Sequence, residues 1–94
     1  MYVIRDIFSA KPGKAKELVA MFKKSIPSLK KEGINSRVMT DTVATYWTVV
    51  FESETDDLGK YFAMAQKRNP EMEAAMKGYM DLVNGGRREI YKVE

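Results

Sequence analysis

Thr45-Tyr46-Trp47-Thr48-Val49-Val50-Phe51-Glu52-Ser53-Glu54 is rich in β-branched and aromatic residues and reads as a strand. Successive side chains of a strand point to opposite faces, so Trp47, Val49 and Phe51 oppose Tyr46, Thr48 and Val50. Apolar groups therefore lie on both sides. Residues 2–9 repeat the pattern: Tyr2, Ile4 and Phe8 point one way, while Val3 and Ile7 point the other. Strands that are apolar on both sides belong to a sheet with both faces covered.

Reading outward from these two strands supplies the rest. Pro12-Gly13 ends the first strand and opens a helix running to about Lys31, with Pro27 bending or interrupting its last turn and Gly33 as its stop. Residues 36–42 form a second strand, joined to residues 45–54 by a short turn near Val43-Ala44. Thr55-Asp56-Asp57 supplies the N-cap of a helix from Leu58, and Asn69-Pro70 looks like a second start. Met72, Met76, Tyr79, Met80 and Val83 make an apolar stripe, Gly85-Gly86 stops the helix, and residues 87–93 are the last strand. The order is βαββαβ: an α+β sandwich, one domain over residues 1–94, with a four-stranded antiparallel sheet and two helices on one face. Two helices cover only one face. The other is expected to pack on a second copy about a two-fold axis, which makes the protein a homodimer.

Composition narrows the chemistry. The 94 residues include no cysteine and no histidine, so there is no disulfide framework and no activated serine of the triad type. A reducing cytoplasm fits. No apolar run approaches the roughly 18 residues needed to cross a bilayer, and the opening, with an acid at position 6, carries no signal-peptide pattern. Net charge is +3, but the lysines from Lys11 to Lys31 ring the polar side of an amphipathic helix whose apolar side is Ala15, Leu18, Val19, Phe22, Ile26 and Leu29. Arginines interleaved with exposed aromatics, as a nucleic-acid stacking platform needs, are missing. Neither nucleic acid nor membrane is expected as a partner.

Four residues are candidates for a ligand site. Asp6 lies between Ile4 and Phe8 in a central strand, where a carboxylate is costly unless paired. It is either a pocket base or acceptor, or the partner of Arg37, Arg87 or Arg88 on a neighbouring strand. Trp47 and Tyr46, opening strand three, either wall a pocket for a flat aromatic molecule or fill a core or dimer interface. Arg5 flanks Asp6 on the opposite face and is expected at the dimer side or the strand end, in an ion pair. The acids Glu52, Glu54, Asp56 and Asp57 match no calcium loop and suit a helix N-terminus instead. No metal and no cofactor is expected, and the glycines form neither a phosphate loop nor a dinucleotide fingerprint.

Three segments resemble a known group. Tyr2-Val3-Ile4-Arg5 followed by Lys11-Pro12-Gly13-Lys14, the hairpin residues 37–41 and 47–52, and the close Gly86-Arg87-Arg88-Glu89-Ile90-Tyr91 are similar to the NIPSNAP-like branch of the dimeric α/β-barrel superfamily. The resemblance implies a ferredoxin-like protomer, two sheets facing each other in a barrel-like dimer, and a pocket between sheet and helices. It also implies kinship with cofactor-free quinone-forming monooxygenases, haem-degrading monooxygenases, muconolactone isomerases and chlorite dismutases. The haem-degrading branch uses a strand-one asparagine, a tryptophan and a ligating histidine. Here Asp6 and Trp47 stand at comparable places without a histidine, which excludes haem ligation of that kind and leaves a tyrosine ligand open. The leading expectation is a homodimeric module binding a small apolar molecule. The alternative is a cofactor-independent monooxygenase or isomerase acting on a polycyclic aromatic, with Asp6 as base and Trp47 as wall.

Overall fold

The computed structural model describes residues 1–94. Strand β1 (Tyr2–Ala10) leads into helix α1 (Ala15–Lys31), then strands β2 (Asn35–Thr40) and β3 (Thr48–Thr55), helices α2 (Leu58–Gln66) and α3 (Pro70–Met76), a 3₁₀ turn (Tyr79–Leu82) and strand β4 (Val83–Lys92). The sheet order is β2-β3-β1-β4, every pair antiparallel. This is the α+β, ferredoxin-like arrangement expected, with an open four-stranded sheet, but it carries three helices rather than two. Asn69 explains the extra one. Its side-chain oxygen accepts from the Met72 amide (3.1 Å), and Pro70 occupies the first turn, so a new helix begins where the sequence suggested only a second start.

Other boundaries also moved. Pro27 does not interrupt α1, which runs through to Lys31. The helix ends in a Schellman motif: Gly33, at φ +78°, donates to the Lys30 carbonyl and Ile34 to the Leu29 carbonyl, with Leu29 and Ile34 packed in one cluster. The glycine ending α3 is Gly78 (φ +87°), whereas Gly85-Gly86 lies inside β4. Strand β3 starts only at Thr48, because Tyr46 and Trp47 adopt left-handed backbone (φ 51° and 57°) and close the β2–β3 connection.

Register assigns the faces. Ile4, Asp6, Phe8 and Ala10 of β1 share a face with Val49, Phe51 and Ser53 of β3 and with Gly86, Arg88 and Ile90 of β4. The helices pack there. One cluster joins Ala10, Leu18, Phe22, Val49 and Leu82, and a second joins Ile4, Leu29, Ile34 and Tyr61. Phe51 touches both. The opposite face carries Val3, Ile7, Met39 and Val50, and across it a row of charge in which Arg5 makes the ion pair expected of it, with Glu52 and Arg37 as members that the sequence reading did not assign to it. Arg5 Nε and Arg37 Nε donate to the two oxygens of Glu52 (2.7 and 2.6 Å). No helix is long and apolar enough to cross a membrane.

Candidate functional site

The helix-covered face does not close completely. Between the sheet and the three helices lies a cleft of about 590 Å³. Its apolar walls come from β1 and β3 (Phe8, Phe51), from α1 (Phe22, Leu29) and from α2 and α3 (Met64, Met72, Met76). The aromatic rings brace one another: Phe8 lies 5.2 Å from Phe22, and Phe22 stands edge-on to Phe51 at 5.5 Å. Such offset contacts are favoured over face-to-face stacking, so this wall is preformed. On another side, Ser28 Oγ donates to Glu71 Oε2 (2.8 Å) and Lys31 Nζ reaches the same carboxylate (3.6 Å), tying α1 to α3. The Ser28 hydrogen bond, and then Lys31, hold the Glu71 carboxyl below its ordinary range.

Polar groups converge at the sheet. Asp6 faces the cleft and is clamped by Arg88, directly opposite on β4: Nε donates to Oδ1 at 2.6 Å and Nη2 to Oδ2 at 3.2 Å. The hydrogen bond to Asp6 raises the Arg88 pKa further above its already high ordinary value. Tyr61 of α2 also lines the cleft and is buried (6% exposed). Burial, and then the charge of Asp6, push its phenol above the ordinary tyrosine range, so the hydroxyl stays protonated at neutral pH.

The four candidate residues do not share a place. Asp6 lines this cleft, and its partner Arg88 is one of the three arginines proposed from sequence. Tyr46 and Trp47 line a separate cleft of about 660 Å³ with Ala15 and Val19 of α1. Tyr46 is 81% exposed and Trp47 half-exposed, and the Trp47 carbonyl accepts from the Ala10 amide (2.8 Å). Trp47 is thus not a wall of the Asp6 cleft. Arg5 lies on the open face, paired with Glu52 and 5.5 Å above the Tyr91 ring. Tyr61 and Arg88 were not singled out from sequence as cleft residues. A lone tyrosine in a helix carries no signal, and Arg88 needed the strand register to find Asp6.

No known family model matches the chain, and no curated protein sequence matches it. Solved structures do. An uncharacterised NIPSNAP domain protein from Burkholderia xenovorans superposes with a TM-score of 0.77 at 16% identity, covering 100% of this chain and 95% of that one. A NIPSNAP family protein from Agrobacterium tumefaciens gives 0.75 at 13% identity, over 99% and 92%. An antibiotic biosynthesis monooxygenase gives 0.77 at 10% identity, over 100% and 99%. The chain has their fold. At these identities the likeness carries the fold alone, and it is the protomer fold that the sequence resemblance implied.

Proposed function

We propose that this protein is a homodimeric small-molecule-binding module of the dimeric α/β-barrel type, NIPSNAP-like, whose cleft takes a small apolar or aromatic molecule. The cleft carries the proposal: about 590 Å³ lies within the roughly 300–1,000 Å³ usual for ligand pockets. Its apolar wall is aromatic and methionine-rich, and polar and charged side chains, among them Asp6, Ser28, Glu71 and Arg88, line the rest. A chain without cysteine suits a reducing cytoplasm, and we assign it neither nucleic acid nor membrane as partner. Native mass spectrometry of freshly purified protein tests the reading. A co-purifying small molecule, lost when Phe22 and Met72 are enlarged to tryptophan, is expected. Bare chains that also fail to take up an added apolar dye would count against it.

The second reading, a cofactor-independent monooxygenase or isomerase acting on a polycyclic aromatic, is supported by Asp6 facing the cleft and by the fold shared with an antibiotic biosynthesis monooxygenase. A general base must reach the proton it removes. The two-point pairing with Arg88 fixes the Asp6 carboxylate against β4, so binding stands first. Oxygen uptake with anthrone, abolished by Asp6→Asn, would reverse that order.

A further inference from the structure

The cleft adjoins a second depression. On the β4 edge a groove of about 360 Å³ runs beside Met80, Val83 and Gly85, and it shares Asp6, Phe8, Tyr79 and Arg88 with the cleft. These shared side chains are the common wall of the two. In that wall Tyr79 sits on the 3₁₀ turn entered through left-handed Gly78, edge-on to Phe8 at 6.0 Å, and the Arg88 side chain is 46% exposed. Arg88 spends Nε and one Nη2 hydrogen on Asp6 and makes no other hydrogen bond to the protein. A guanidinium has five N–H donors, so three remain at this junction. A second anion there would face the Asp6 carboxylate. The acceptor that fits is a neutral oxygen.

We propose that the ligand is an elongated apolar molecule bearing a neutral oxygen acceptor part-way along its length. It lies across the Asp6–Arg88 pair, with one arm in the cleft and the other in the groove. This rests on the reading of the cleft as a ligand site, and a pair of isomers separates the two claims. 6-Undecanone and 2-undecanone have the same size and apolar content, but only the first puts apolar arms on both sides of its carbonyl. Calorimetric titration of the intact protein should show 6-undecanone binding at least about tenfold tighter, since each additional buried methylene is worth roughly fourfold. Met80→Trp, which fills the groove, should remove that preference and leave 2-undecanone binding unchanged. Equal affinities, or tighter binding of 2-undecanone, would overturn the elongated-ligand proposal while leaving the cleft as a site. Binding of neither would overturn both.

Discussion

Glu52 is almost wholly covered although it lies on the open face of the sheet, because the arginines on either side lie over it. Burial alone would raise its carboxyl, but hydrogen bonds from Arg5 and Arg37 outweigh that and hold it below the ordinary value of 4.5. A carboxylate with a depressed folded pKa stabilises the protein above its unfolded pKa, and that contribution is lost as pH falls through the folded one. Glu52→Gln is therefore expected to cost about 2 kcal/mol at neutral pH. Urea titrations should show the gap to wild type closing below about pH 4.5. A gap that stays constant down to pH 3 would show that the pairing contributes nothing. Gly86 presents a steric case. A Cβ there would meet Phe8 Cδ1 at 2.8 Å and the Ile7 carbonyl at 3.1 Å, so Gly86→Ala must push the Phe8 ring toward the cleft. Overpacking of this kind costs about 1–3 kcal/mol. Both a lower Tm and weaker uptake of an apolar dye are expected, and an unchanged Tm would mean that the ring turns aside freely.

Among the elements, those with a local chemical cause were legible in the sequence. Asp57 accepts from the Lys60 amide (3.1 Å) and Asn69 from the Met72 amide, so both caps work as their residue types suggested. Asn69→Ala should cost about 1 kcal/mol and loosen α3 first, seen as faster amide exchange over residues 70–76 than elsewhere. The β2–β3 connection was not legible. Tyr46 and Trp47 have strong strand propensity, and the sequence does not show that the chain must reverse there with two consecutive left-handed residues. Left-handed backbone costs a residue with a side chain about 1–2 kcal/mol, and Tyr46 is too exposed for packing to offset much of it. Tyr46→Gly should accordingly raise Tm by several degrees, about 4–8 °C per kcal/mol for a domain of this size. A lower Tm would show that the tyrosine ring, not the backbone, governs the loop. The glycines near β4 misled for a related reason: Gly85-Gly86 has the composition of a helix stop, but strand pairing with β1 governs its backbone.

At the scale of the whole molecule, the faces of β1 and β3 were readable because strand alternation fixes them. Ile4, Phe8, Val49 and Phe51 do share the helix side. The cleft was not readable, since it depends on how far α2 and α3 stand from the sheet. The open face bears on assembly. Only 14 of 94 residues are buried in the isolated chain, a thin core even for a small domain. Val3, Ile7, Met39 and Val50 surround the Arg37–Glu52–Arg5 row on a face that no helix covers. A second copy laid on that face would bury Val3, Met39 and Val50, while Glu52, held by two arginines, enters as no unmatched carboxylate and Glu89 beside Arg5 offsets part of the extra positive charge. We expect a two-fold interface of at least about 1,200 Å², the lower end for a stable complex. Light scattering at low micromolar concentration should give about twice the chain mass. Val50→Lys tests the face directly. Val50 is half-buried in the isolated chain, so a lysine there can reach water in a monomer, whereas in the dimer two copies would bring like charges into the interface. The variant should scatter as a folded monomer with wild-type helix and strand content, and a variant that remains dimeric would place the interface elsewhere.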